Sequence, residues 1–316
     1  MKKVGIYIHI PFCKQKCKYC DFVSFQCAEE KAEEYFKCLV KEIVEEADKL
    51  KFETVEKNIE IDTIYIGGGT PSAVSENFIE KIIYTIKENY NVSKNAEITI
   101  EINPGTVDEN KLKKYFEIGI NRVSIGLQSA NNKLLNMLGR IHNYEQFEDT
   151  YNLARKVGFE NINVDLMIGL PNQSIDDVEV SVKEIIKKFP EHISVYSLIV
   201  EENTKMFELI ENNCLELPSE ELERKMYWKV KKNLEEYGYK HYEISNFAKK
   251  DKDIICITPG MCYGSKLNII KEKCQRLKES RPLWCRSITR KAWMKSLPSF
   301  MKREWNSCLQ EEQDSL

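Results

Sequence analysis

The sequence predicts an α/β fold on a parallel sheet, assembled from six successive βα units. Three observations predict it. Short runs rich in Ile and Val alternate with longer runs whose apolar residues recur every three to four positions. Such alternation builds parallel strands joined by right-handed crossovers. Finally, the chemically unusual residues fall at or near the ends of the short runs. Six units suit either a doubly wound sheet or an incomplete (βα) barrel, and a barrel gathers its functional residues at the C-terminal ends of its strands.

The first expected strand covers residues 4–10, and three cysteines follow it at once. Ala32, Tyr35, Phe36, Leu39, Val40, Ile43, Val44 and Ala47 then form one helical stripe. The second strand, 63–66, runs into Gly67-Gly68-Gly69-Thr70, and Phe78, Ile82, Ile83 and Ile86 mark the next helix. The third strand, 97–102, has Glu101 near its end; the fourth, 122–127, is followed by Gln128. Asp165 lies in the fifth, 162–168. Ser174 and Asp177 then have the spacing of a capping box, opening a helix that runs toward Phe189. The sixth strand covers 193–199, and Leu222, Met226, Val230 and Leu234 mark the last clear helix. Ile- and Val-rich strands of this kind are expected to be buried on both faces.

Composition narrows the function. The chain has 316 residues, 42% of them hydrophobic, enough for a sizeable core. A net charge of -3 lacks the basic excess of a dedicated nucleic-acid binder. No apolar run reaches the ~18 residues of a membrane span, and the N-terminus lacks the long apolar core and cleavage site of a signal peptide. A cytoplasmic protein without a transmembrane segment is expected. Its 11 cysteines are an odd number in a chain too long to need disulfide staples.

Three of those cysteines lie within Cys13-Lys14-Gln15-Lys16-Cys17-Lys18-Tyr19-Cys20. A loop of this spacing can wrap three thiolates around one face of an iron–sulfur cube. Four cysteines are usual, so three leave one iron able to chelate an amino acid's amine and carboxylate. The competing reading is zinc, which wants a fourth Cys or His. His9 is near in sequence but belongs to the preceding strand.

Other residues carry chemistry of their own. Glycines at 67–69 let backbone approach a ligand or take positive φ, or simply turn the chain. A carboxylate at Glu101 needs a cationic or hydrogen-bonding partner if buried, and Gln128 and Asp165 follow the same logic. Arg140 can grip a carboxylate bidentately. Tyr7 and Tyr19 flank the cysteines, as packing or as ligand contacts. His142 and His192 read as structural or surface residues.

Tyr7-Ile8-His9-Ile10-Pro11-Phe12-Cys13 with the next two cysteines resembles the radical S-adenosylmethionine superfamily, and more narrowly the oxygen-independent coproporphyrinogen III oxidase group. Gly67-Gly68-Gly69-Thr70-Pro71-Ser72, Glu101-Ile102-Asn103-Pro104, Ser124-Ile125-Gly126-Leu127-Gln128-Ser129 and Asp165-Leu166-Met167 follow in the group's order. The resemblance implies a partial (βα)₆ TIM-like barrel, a [4Fe-4S] cluster on Cys13, Cys17 and Cys20, and S-adenosylmethionine. It assigns Gly68, Gly69 and Thr70 to the methionine part of that cofactor, and Glu101, Gln128, Arg140 and Asp165 to nucleotide or substrate sites. The oxidases carry a fourth cysteine two residues after the third; here that position is Phe22. Cys20-Asp21-Phe22 resembles the heme chaperone branch, HemW, whose role is to bind heme and pass it to acceptor proteins. Radical decarboxylation of a porphyrinogen is the alternative role.

The resemblance covers residues 4 to about 248, so a radical S-adenosylmethionine core is expected over 1–248. Beyond Tyr242-Glu243-Ile244-Ser245-Asn246-Phe247-Ala248 the branch's heme-linked segment and helical domain are expected, and 249–316 departs from both. From residue 251 onward lie five of the 11 cysteines and three of the four tryptophans, with no βα rhythm. This atypical, poorly specified tail reads as a shifted reading frame, and a product inactivated by it is a third possibility.

Overall fold

The computed structural model describes residues 2–26, 29–53 and 59–249. The expected tail from residue 250, with Cys256, Cys262, Cys274, Cys285 and Cys308, lies outside the described residues, as does Cys27.

All six expected βα units form. Strand β1 (Lys2–Ile10) is followed by two short strands, β2 (Phe12–Cys13) and β3 (Phe25–Gln26), and by helix α1 (Glu29–Glu53). Next come β4 (Ile59–Gly68), α2 (Glu76–Asn89), β5 (Val92–Ile102), α3 (Glu109–Glu117) and β6 (Arg122–Gln128). Helices α4 (Asn132–Leu138) and α5 (Tyr144–Val157) lead to β7 (Asn161–Ile168), α6 (Ile175–Lys187) and β8 (His192–Ser197). The described chain closes with α7 (Lys205–Glu211), α8 (Glu220–Glu236), β9 (Tyr239–Glu243) and β10 (Asn246–Lys249). The Ser174–Asp177 capping box opens α6 as the spacing predicts. The sixth strand stops at Ser197, short of the expected Ile199, which lies exposed in the following loop.

One sheet runs β1-β4-β5-β6-β7-β8-β10-β9, parallel as far as β8, with β10 antiparallel to β8 and to β9. Its outward side chains are Ile66, Ile100, Val123, Ile125, Val164 and Val195, all buried in one core with Ile82, Leu112, Phe147, Val182 and Val230 of the helices.

The strands are buried on both faces as expected, but their inward side chains are polar. Thr99 pairs with Arg122, Ser124 with Asn163, and Asp165 with Ser194. Strands alternate their side chains with period two, and here one face is aliphatic while the enclosed face is polar. Such an interior must satisfy itself by hydrogen bonds, and it is where a polar ligand finds partners.

The loop after β2 crosses the sheet's mouth. Lys18 N–H donates to the Leu138 carbonyl at the end of α4 (2.9 Å), and Met206 N–H of α7 donates to the Lys18 carbonyl (2.8 Å). On a flat sheet β1 and β8 would stand five strand spacings apart, about 24 Å. The sheet instead wraps around this loop as an open, incomplete barrel.

Ile125 is fully buried in a central strand, whereas Val180 on α6 is half exposed. Ile125→Ala is expected to destabilise the protein by about 2–5 kcal/mol through lost contacts and a cavity. Val180→Ala should stay within ~0.5 kcal/mol. Denaturant midpoints check this, and equal shifts for the two variants would contradict the packing assigned to β6.

Candidate metal and cofactor site

The site grows from the strand ends at the mouth. Cys13 is buried at the end of β2; Cys17 and Cys20 are half-buried in the following loop, and all three are free thiols. The loop returns through Phe25 N–H to the Pro11 carbonyl (2.7 Å).

Each sulfur has a polar group beside it. Thr70 Oγ1 donates to Cys13 Sγ (3.5 Å), Arg140 Nη1 to Cys17 Sγ (3.6 Å), and Ser24 Oγ lies 4.0 Å from Cys20 Sγ. Asn103 links the first two. Its Nδ2 donates to Thr70 Oγ1 (2.8 Å), and its Oδ1 accepts from Arg140 Nη2. One continuous chain of bonds thus runs Cys13–Thr70–Asn103–Arg140–Cys17. Burial raises the Cys20 thiol, against its bonds from Phe22 and Ser24; the form that ligates iron is the thiolate.

The glycine segment after β4 makes room for this loop. Gly69 N–H donates to the Ile10 carbonyl (2.8 Å), and a Cβ on Gly69 would sit 2.9 Å from Cys13 Sγ. Gly68 has φ +121°, and a Cβ there would strike the His9 ring. The space these two glycines provide is filled by the protein's own cysteine strand.

Glu101 accepts from Tyr65 OH (2.7 Å) and from Gly68 N–H (3.1 Å). Burial pushes its carboxyl up to about 7, and Asp165 adds to that, while Tyr65, Gly68 and Arg122 pull the other way. Burial also raises Asp165, against the bonds from Asn163 and Ser124 and the charge of Arg122. Arg140 is committed to the protein, because Nη2 also donates to the Gly126 carbonyl (3.0 Å). Only its buried Nε has no partner among the described residues.

Gln128 is the exceptional residue. It sits at φ +67° and is 3% exposed. Its Nε2 reaches Tyr196 OH at 3.5 Å, and its Oε1 has no partner among the described residues. A left-handed non-glycine residue costs about 1–2 kcal/mol, and an unmet buried acceptor about as much again. Residues held this way cluster where a ligand completes them.

Tyr19 lies against Arg140, with its phenol pushed up by burial. Tyr7 sits on the other flank, its OH 3.1 Å from His9 Nδ1. His9 Nε2 bonds the Val23 carbonyl (2.9 Å), so both ring nitrogens are engaged and the ring does not serve as a fourth zinc ligand. Among the described residues no three His, Cys, Asp or Glu side chains converge as a single metal ion requires. An iron–sulfur cube takes each thiolate on a different iron and needs no such convergence. The donor set fits a cluster. A 490 Å³ cavity lined by Lys87, Tyr90 and Asn121 lies away from these residues.

Residues 7–185 match the family model of the Radical SAM superfamily. The chain belongs to that superfamily. Its family implies a [4Fe-4S] cluster and S-adenosylmethionine. The chain is 39% identical over 246 residues to the heme chaperone HemW of Bacillus subtilis (strain 168), a match covering 77% of this chain and 63% of that protein. It is 40% identical over 249 residues to HemW of Buchnera aphidicola subsp. Schizaphis graminum, covering 78% and 63%. Among solved structures, coproporphyrinogen III oxidase (HemN) from Escherichia coli, a radical SAM enzyme, superposes with a TM-score of 0.71 at 25% identity, covering 80% of this chain and 57% of that one. The chain is therefore of the HemW and HemN-like branch, and it spans about three-fifths of the length of these HemW relatives.

Two expectations follow from the geometry. Asn103→Leu breaks the bond chain between two sulfurs and is expected to lower iron retained per chain after anaerobic reconstitution, with about 1–3 kcal/mol lost in stability. Unchanged iron and stability would contradict the bracing role. For Glu101, a folded-state value near 7 stands above the ordinary 4.5. Its contribution to stability is therefore present at low pH and lost as pH rises through about 7. Glu101→Gln should gain stability relative to the parent between pH 5 and pH 8, by about 1–3 kcal/mol. A difference independent of pH would refute the assignment.

Proposed function

We propose that this chain is the core of a HemW-type heme chaperone of the cytoplasm. It holds a [4Fe-4S] cluster through Cys13, Cys17 and Cys20, with S-adenosylmethionine beside the iron that lacks a protein ligand. The observation that carries this reading is its greater identity to relatives named heme chaperones than to the oxidase. Phe22, at the position of the oxidases' fourth cysteine, supports the same choice. Among the described residues no helix is long and apolar enough to cross a membrane.

A bound cluster supplies a site for the amine and carboxylate of S-adenosylmethionine and an electron for its cleavage. The chain's own residues bind and orient. Gly68, Gly69 and Thr70 would hold the methionine part, Glu101 would accept from its ammonium or from ribose, and Tyr7 and Tyr19 would flank it. Gln128, Arg140 and Asp165 line the nucleotide or substrate side, where the unmet Gln128 Oε1 gives a ligand donor a partner.

Heme requires an apolar wall and an axial ligand such as His, Cys, Met or Tyr. The chain's four histidines all lie in the described barrel. His9 and His192 have both ring nitrogens engaged, His142 is buried against the Leu127 carbonyl, and His241 lies beside Tyr227 OH. None of these histidines is placed as a ready axial ligand, so this reading looks for the heme contact beyond the core of residues 1–248, with an acceptor protein as its destination. The oxidase reading remains as the alternative, favoured by the HemN-like fold, and a product disabled by its altered tail as a third.

Soret-band titration and a porphyrinogen decarboxylation assay on one reconstituted preparation test this. We expect weak, poorly saturable heme binding by this chain, tight binding once a family-like tail follows Ala248, and no CO₂ release. Tight one-to-one binding by the present chain would place heme inside the barrel; CO₂ release coupled to 5′-deoxyadenosine would make it an oxidase.

A further inference from the structure

Inside the barrel, Asp165 is the end of a row of buried polar residues that leads away from the cysteine loop. Asn163 Nδ2 donates to Asp165 Oδ1 (2.7 Å) and to Ser124 Oγ (2.7 Å). Asn163 Oδ1 meets His192 Nδ1 and accepts from Ser194 Oγ (3.1 Å). His192 is fully buried, and its Nε2 lies 2.6 Å from Tyr242 OH.

With Asp165 ionised, one proton arrangement satisfies this row. An ionised carboxylate accepts and does not donate, so the Asn163 amide must turn its NH₂ to Asp165. Its oxygen then faces His192, whose Nδ1 must carry the proton. A neutral imidazole has one donor and one acceptor. Nε2 is therefore the acceptor, and Tyr242 OH donates to it. Donation runs in one direction, from Tyr242 through His192 and Asn163 to Asp165.

Tyr242 is held from the far side. It sits on β9, in the hairpin that ends the described chain. The hairpin's turn is fixed by Val195 N–H donating to the Ser245 carbonyl (2.7 Å), by Asn246 Nδ2 donating to Glu243 Oε2 (2.8 Å), and by Tyr227 OH donating to the Ile244 carbonyl (3.1 Å). The run Tyr242-Glu243-Ile244-Ser245-Asn246 thereby pins a phenol against a buried imidazole.

We propose that Tyr242 and His192 are positioning residues for the nucleoside side of the S-adenosylmethionine site, acting through Asn163 to fix the rotamer of Asp165. This rests on the reading that Asp165 faces that ligand. Neither residue touches the ligand. Tyr242 is 41% exposed, so the hairpin surface is mechanically linked to the interior, and a change in the hairpin's docking alters the site.

The test is a double-mutant cycle read by calorimetric titration of the reconstituted full chain with S-adenosylmethionine. Tyr242→Phe keeps the ring and removes the donor. It is expected to weaken binding about three- to tenfold, the worth of one hydrogen bond, with iron content unchanged and melting temperature lowered by no more than a few degrees. In an Asp165→Asn background the same change should have no further effect, because the row no longer ends on a carboxylate. His192→Gln, which cannot bond both neighbours as the ring does, should behave like Tyr242→Phe. Wild-type affinity for Tyr242→Phe, or a loss that adds fully to that of Asp165→Asn, would overturn the proposal while leaving the site intact. A larger fall in melting temperature, with iron content lost along with affinity, would make Tyr242 structural and overturn it too. Unchanged binding by Asp165→Asn itself would remove the reading of the site, and the proposal with it.

Discussion

The site depends on one chain of hydrogen bonds, Cys13–Thr70–Asn103–Arg140–Cys17. Its members come from β2, the turn after β4, the segment after β5 and the loop after α4. They are close only because the sheet is parallel and its strands end together. Three cysteines on a short loop could point in many directions. Tying two sulfurs to donors anchored in the barrel removes that freedom before any iron arrives. The chain also explains why Arg140, which could have gripped a ligand carboxylate, spends both terminal nitrogens on protein.

The barrel interior obeys a second constraint, that buried charge be balanced. Arg122, 1% exposed, bonds Thr99 and acts electrostatically on Glu97, Glu101 and Asp165. Burial raises all three carboxyls toward their neutral form, and the Arg122 charge works against that. Gln128, at the end of β6, adds an orphaned buried oxygen.

Much of this was legible in the sequence. The six strands could be read because each carries a run of β-branched residues, and the helices because their stripes are long and capped. Cys13, Cys17 and Cys20 stood out by spacing, and Glu101, Gln128 and Asp165 by polarity at strand ends. What escaped depends on contacts far apart in the chain. Asn103 sits within the Glu101–Pro104 motif, yet nothing local says it bridges Thr70 to Arg140. The polar inward face was hidden because alternation with Ile and Val reads as an aliphatic strand. Strands β9 and β10 were missed because five and four residues carry little period. His192 looked structural, which its burial agrees with, but its bonds to Tyr242 and Asn163 could come only from the fold.

The central claim is that three protein thiolates leave one iron of a cluster open to S-adenosylmethionine. Electron paramagnetic resonance on the reduced, anaerobically reconstituted protein, with and without S-adenosylmethionine, tests it most directly. The account predicts about four irons per chain and a [4Fe-4S]⁺ signal whose g-values shift when the ligand is added. A signal indifferent to the ligand, or zinc in place of iron, would contradict it.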